Sequence, residues 1–295
     1  PQGLCSALCG HHQSLNMSYF MTGIISSWSK YAHVINIGIQ NTLAYRVNFL
    51  FRSVFSLIPL LAQVLLWKTI FSGKGEGETI GSYELSHMIS YYLLILIVNS
   101  LTAVNEDDWQ IVADIRNGTI SQFLLKPIDY LTFRLSLFFA NRAMYLAVAS
   151  IPVGLFLLWQ HEYWAPPASE QALALSLVSL VLTGMLQFLL SYTMALLAFW
   201  LLEVATFIFI LYAFEYVAGG HLFPIDLLPG WLETLLYWTP FPYLLSYPVL
   251  IYLGRVEGSE MWSGLAVQFA WLIIAFFAAR FVWSRGIKSY TAVGG

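Results

Sequence analysis

Charge is what this sequence has least of. Lysine and arginine number 13 and aspartate and glutamate 16 in 295 residues, so 10% of the chain is charged while 59% is apolar. A soluble chain ordinarily carries about 25% charged and about 45–50% apolar residues. With so little charge, a body of this length cannot cover its surface in water, and the mean hydropathy is +0.70. The excess apolar surface must face lipid, so the chain reads as a polytopic membrane protein. The net charge of −3 leaves no basic footprint, which excludes a nucleic-acid binder. Cysteine is equally scarce. Cys5 and Cys9 are the only two, enough for one disulfide or half of a metal site and nothing larger.

Recognisable catalytic motifs are missing as well. His161-Glu162 begins an H-E-x-x-H pattern, but Ala165 occupies the place of the second His, so two zinc ligands do not share a helix face. No G-x-S-x-G elbow occurs. Gly73-Lys74-Gly75 is glycine-rich, yet Lys74 is not followed by Ser or Thr, so no P-loop binds ATP here.

Residues 1–16 (PQGLCSALCGHHQSLN) differ in texture from the rest of the chain and lack the basic n-region and apolar core of a signal peptide. They are expected to be an appended or over-extended start without order, ahead of a single domain over 17–295 that starts at Met17.

What is present is long apolar runs. A bilayer core of about 30 Å takes roughly 20 helical residues. Asn48–Phe71, Leu85–Val104, Leu135–Trp159, Ala172–Ala218 and Met261–Ala279 meet that length. The fourth would be about 70 Å long as a helix, which suits two crossings. Glu203 is its natural turn, because a carboxylate is costly at mid-bilayer. Six spans result, about 48–71, 85–104, 135–159, 172–200, 204–219 and 261–280. Thr234–Leu253 is uncharged too, but Pro240, Pro242 and Pro248 each remove a backbone donor. Broken apolar backbone must be buried in protein or enter lipid only partway, so Gly219–Leu253 is expected to form a re-entrant or interfacial helical hairpin.

Charge asymmetry tests this count. Six spans put Lys30, Arg46, Arg52, Arg116, Lys126, Arg134, Arg142, Arg280, Arg285 and Lys288 on one side, ten of the 13 basic residues. The positive-inside rule makes that side cytoplasmic, with both termini.

Two further segments are amphipathic. Phe20, Ile24, Trp28, Tyr31, Ile35 and Ile39 recur at helical steps before the first span. They suit an interfacial anchor, or an elbow helix that also meets a cytoplasmic partner. In the 105–127 loop, Asn105 can cap a helix whose first turn holds Glu106, Asp107 and Asp108, with Arg116 in the last turn and Gly118 beyond. Trp109, Val112 and Ile115 align on one face with Ile111 beside them, and a short run over Ile120–Leu125 comes next. The chain's own helices, lipid headgroups or a partner protein must cover that stripe. Among the polar groups in or near spans, His87, Asn99, Gln187 and Glu215 suit interhelical hydrogen bonds or the lining of a pathway.

Three segments carry a family likeness: NTLAYRVNFLFRSVFSLIPLL, DWQIVADIRNGTISQFLLKPIDY and GGHLFPIDLLPGWLETLLYWTPFPYLLSYPVLIYLG. In order and spacing the chain resembles the permease subunits of type-2 ABC exporters, over most of residues 20–290. The resemblance implies an all-α polytopic membrane protein: six transmembrane helices, an N-terminal elbow helix, a cytoplasmic coupling helix and an extracellular re-entrant hairpin between spans five and six. It also implies a bacterial inner-membrane location and a second permease copy or sister permease. A pair of separate ATPase subunits would hold ATP and magnesium, and this chain would bind no cofactor. Asp107, Asp108, Trp109, Ile111, Val112, Asp114, Ile115, Arg116 and Leu124 would form the contact with the ATPase, the acidic residues and Arg116 being its polar rim. Asn99, Gln187, Glu215, His221, Phe223 and Trp231 are the candidates for pathway or gate. A hydrophobic or amphiphilic substrate would be exported at the expense of ATP. The competing readings are an integral membrane enzyme using His87, His221 and Asp226, and a membrane assembly factor without transport.

Overall fold

The protein's structure, a computed structural model, describes residues 30–41, 43, 46–73, 79–104 and 107–290. Expectations resting on Cys5, Cys9, Met17, Phe20, Ile24, Trp28, Lys74, Asn105 and Glu106 fall outside those residues. The described residues are helical apart from turns and one isolated bridge between Ile80 and Tyr83. Helical residues 30–41 lead into α1 (Arg46–Ser72), α2 (Leu85–Thr102), α3 (Asp107–Arg116), α4 (Ile120–Leu124) and α5 (Tyr130–Trp159). Next come α6 (Glu170–Ala195), prolonged by a 3₁₀ turn Leu196–Phe199, then α7 (Ala205–Ala218), α8 (Gly230–Tyr237), α9 (Ser246–Tyr252) and α10 (Ser259–Ser289).

Among the described residues, five helices are long and apolar enough to cross a membrane: α1, α2, α5, α6 with its 3₁₀ extension, and α10. At 18 residues, α2 is about 27 Å long and matches the hydrocarbon core, whereas the 31-residue α10 reaches about 46 Å and overshoots it. The run expected at 204–219 emerges as α7, whose 14 residues span only about 21 Å. Glu203 lies in the break between Phe199 and Ala205. Local chemistry sets the helix starts. Ser169 accepts a hydrogen bond from the Ala172 N–H at 3.0 Å, and Asp129 accepts one from the Thr132 N–H at 3.0 Å, each quieting a donor that the first turn leaves unpaired.

The central helix is α2. It has no charged residue and is apolar all round, the pattern of a helix surrounded by others. In its most apolar stretch 67% of residues are buried, against 17% in α1. Helices α1, α5, α6 and α9 pack around it, while α1 leaves Phe51, Phe55, Ile58 and Leu65 exposed.

Contacts sort the helix ends into two layers. At one end, Arg280 of α10 meets Asp129, Trp283 stacks on Tyr130 at 4.9 Å, and Arg116 donates to the Leu202 carbonyl. At the other, Ser90 bonds the Tyr163 carbonyl, the Ala168 N–H donates to the Tyr252 carbonyl at 3.0 Å, and the Tyr83 hydroxyl reaches Asp226.

Between α7 and α10 the chain breaks into short pieces, none longer than the eight-residue α8. Prolines and glycines leave its carbonyls without helical partners, and side chains of the long helices meet them. The Tyr91 hydroxyl donates to the Gly220 carbonyl at 2.6 Å and the Tyr92 hydroxyl to the Leu222 carbonyl at 2.8 Å. The Tyr243 carbonyl accepts from Thr183 Oγ1 at 2.9 Å and from Gln268 Nε2 at 3.1 Å. Gly220 has φ +92, and a Cβ there would stand 2.5 Å from the Tyr91 hydroxyl, so only glycine fits this approach.

Candidate coupling surface and polar seam

The acidic loop forms helix α3, ended as expected by Arg116 and by Gly118 in the left-handed region at φ +74. Its buried stripe differs from the expected one. Asp108, Ile111, Val112 and Ile115, spaced i, i+3, i+4 and i+7, are all at or below 5% exposure, packed against α6 and the Leu196–Phe199 turn. Trp109 is 45% exposed and lies about 60° round the helix from Val112. The stripe assigned to a partner is therefore covered by the chain's own helices in three of its four apolar members, Ile111, Val112 and Ile115.

The acidic rim is corrected too. Asp108 is buried, not peripheral. Its carboxylate accepts a hydrogen bond from the Tyr212 hydroxyl of α7 at 2.5 Å and one from the Trp109 N–H at 2.8 Å. Burial pushes this carboxyl above its ordinary value, and those hydrogen bonds pull it only partway back. Asp114 is ion-paired with Arg134 of α5, which also donates to the Tyr130 hydroxyl at 2.9 Å and to Gln110 at 3.2 Å. Arg116 donates to the Leu202 carbonyl. Of Asp107 only the backbone is described, at the first position of α3. Uncovered apolar residues at this end include Trp109, Leu124, Trp200, Leu125 and Leu202, the last two 89% and 93% exposed. Trp109, Ala113 and Arg116 share one face at i, i+4 and i+7, and Arg116 carries that face to Leu202.

The pathway candidates separate into groups. Gln187 of α6 donates to the Glu215 carboxylate of α7 at 2.6 Å, and both are buried. With Tyr212 one turn away and bonded to Asp108, these residues make a polar seam between α6 and α7 that ends on α3. The His221 ring stacks on Tyr216 at 5.2 Å, next to that seam. Asn99 is half-buried in α2. Phe223 lines an apolar groove with Gln63, Trp67 and Leu228, and Trp231 is largely exposed on α8.

Of the residues proposed for an enzyme, Asp226 accepts from the Tyr83 hydroxyl at 3.0 and 2.9 Å and His221 stacks on Tyr216; the zinc-pattern fragment His161-Glu162 sits in a short 3₁₀ turn, not on a helix face. Sequence reading missed Tyr212, Arg134 and Gln268 as structural partners. The available signal was an arginine and a glutamine inside apolar runs, each of which must find a hydrogen-bond partner once buried.

No curated protein matches the chain. The family model described as ABC-2 family transporter protein matches residues 57–294, a stretch that begins within α1 and contains α3, the polar seam, the broken segment and α10. With four-fifths of its length matched and five apolar helices of membrane-crossing length, the chain belongs to the ABC-2 transporter family, as a membrane permease.

Proposed function

We propose that this permease is the membrane half of an ATP-driven exporter for hydrophobic or amphiphilic substrates, with both termini cytoplasmic in a bacterial inner membrane. Two permeases, identical or sister chains, pair with two ATPase subunits that hold ATP and magnesium, and α3 with α4 meets the ATPase. The observation that carries this reading is the division of labour on α3. Its inner stripe is fastened to α6, Asp108 to Tyr212 of α7, and Asp114 to Arg134 of α5, while Trp109 and the nearby Leu124, Leu125 and Leu202 stay uncovered. A push on the exposed face therefore moves three helices together.

In this reading α7 begins a sixth crossing. The irregular chain beyond it completes the crossing, bedded on Tyr91 and Tyr92 of the buried α2. The hairpin over 219–253 is re-entrant, a reading supported by side chains that satisfy its carbonyls where water is absent. The helical residues 30–41 act as the elbow. Their close approach to α5, where a Cβ on Gly38 would stand 3.0 Å from that of Ala140, supports this.

The test is co-purification of an ATPase with the tagged permease. Trp109→Asp with Leu125→Asp should release it while the permease stays folded. Retention of the ATPase by that double variant removes the assigned contact. Ile115 is unsuitable for this purpose, because a charge there would disrupt the permease's own core.

A further inference from the structure

The end of the molecule opposite α3 holds a cavity that coupling does not use. It encloses about 370 Å³ between α8, the stretch through α9 and the first turns of α10, within the roughly 300–1,000 Å³ usual for small-molecule sites. Four aromatic side chains wall it, Tyr237, Trp238, Tyr243 and Tyr247, and three carboxylates face it, Asp226, Glu233 and Glu260. Arg255 is the one cation among these described lining residues. Its guanidinium is already engaged, 3.9 Å over the Tyr83 ring and donating to the Ser82 carbonyl at 2.7 Å. With three carboxylates against one arginine, the lining carries more negative charge than its own arginine balances.

We infer that this cavity binds a monovalent organic cation with an apolar body, of the substituted quaternary ammonium class. Ring faces attract a diffuse, weakly hydrated cation through their quadrupoles, and the surplus carboxylate charge fixes the sign of the ligand. An inorganic divalent ion needs a tight cage of oxygen ligands, and among the described residues no three His, Cys, Asp or Glu side chains converge to hold one. An anion would meet the surplus carboxylates, with Arg255 already engaged. As the exit-side station of a transport cycle the cavity rests on the function proposed above; as a binding site it does not.

The experiment is equilibrium dialysis of the purified full-length protein in nanodiscs with radiolabelled benzyltrimethylammonium. Saturable binding is expected, unaffected by excess neopentylbenzene, the uncharged carbon isostere, and by millimolar calcium. Glu233→Gln with Glu260→Gln, both away from the core, should weaken it roughly tenfold, as should Trp238→Leu, while Tyr237→Phe retains it because the ring remains. Equal competition by neopentylbenzene would reduce the site to an apolar groove. Displacement by calcium would make it an inorganic-cation site. Either result, absence of saturable binding, or unchanged affinity in the double variant, overturns the inference. A protein that holds its ATPase yet binds no ammonium loses only this inference, whereas one that binds ammonium but never an ATPase loses only the exporter reading.

Discussion

The two ends of the helix bundle handle charge in opposite ways. At the end that carries α3, three acids have fixed partners: Asp129 with Arg280, Asp114 with Arg134, Asp108 with the Tyr212 hydroxyl. At the other end three carboxylates face one engaged arginine, and aromatic rings replace the missing cations. Pairing fastens helix ends to one another, so that a force on one is felt by all. Surplus charge beside aromatic faces leaves a surface ready for a ligand. The contrast fits a machine pushed at one end and loaded or emptied at the other.

The sharpest way to break this comparison is to remove one arginine from each end. Arg134→Met leaves the mostly buried Asp114 without its cation and strips donors from the buried Tyr130 hydroxyl and from Gln110. Breaking a buried pair by removing one partner costs about 3–5 kcal/mol, so this variant should lose most of its folded yield or melt far below the wild type. Arg255→Met should cost much less, because Asp226 keeps both contacts from Tyr83. Equal losses in a paired melting experiment would erase the distinction between fastening and binding ends.

A smaller effect is expected from Gln268, which holds the broken segment without any charge. Its amide nitrogen donates to Thr183 Oγ1 at 3.0 Å and to the carbonyls of Ser179 and Tyr243 at 3.1 Å, and its oxygen accepts from Ser179 at 2.9 Å. Gln268→Leu leaves these buried groups short of partners, at a cost of about 1–3 kcal/mol. Amide exchange should quicken over residues 241–252 and stay unchanged in α3, and added salt should not mimic it. Faster exchange in α3 as well would mean that the two ends are not separately held.

How far these features were legible depends on how local their causes are. Apolar runs placed α1, α2, α5 and α6 within about five residues, because lipid burial is a property of each run, while α10 continues nine residues past the expected end at 280. The start of α5 was set at Leu135 and lies at Tyr130: Arg134 read as a charge outside the span, when a carboxylate twenty residues earlier allows it to be buried. The stripe on α3 was misphased for the same reason. A local hydropathy pattern ranks Trp109 as core and Asp108 as rim, while the hydroxyl that buries Asp108 belongs to Tyr212, over a hundred residues on. The run at 204–219 had the hydropathy of a span but ends as a 14-residue helix at Gly219-Gly220, where close packing against Tyr91 and Ser246 was invisible in composition. The cavity at the far end was hidden likewise, since Asp226, Glu233, Arg255 and Glu260 lie on separate segments that only the fold brings around one space.

The smallest and most discriminating test concerns Asp129, which serves two purposes at the fastened end. Its carboxylate caps α5, accepting from the Thr132 N–H at 3.0 Å, and accepts from both terminal nitrogens of Arg280 at 2.5 and 3.0 Å. Burial alone would raise this carboxyl, but the hydrogen bonds from Arg280 and Thr132 outweigh it and hold the group below its ordinary value. A carboxyl lowered on folding adds stability that is complete above its unfolded value, near 3.9, and is lost as pH falls through the lower folded value. Asp129→Asn keeps the cap and removes the charge. Because the pair is over a third exposed on both sides, screening limits the loss to about 0–1 kcal/mol at neutral pH. Asp129→Ala removes the cap as well and should cost about 1 kcal/mol more. Melting curves at pH 7 should therefore rank wild type, Asn and Ala in that order. As pH falls through the folded value the wild type should converge on the Asn variant while Ala stays below both. If Asn and Ala fall together at pH 7, the helix cap contributes nothing and the ion pair to α10 is what fastens this end.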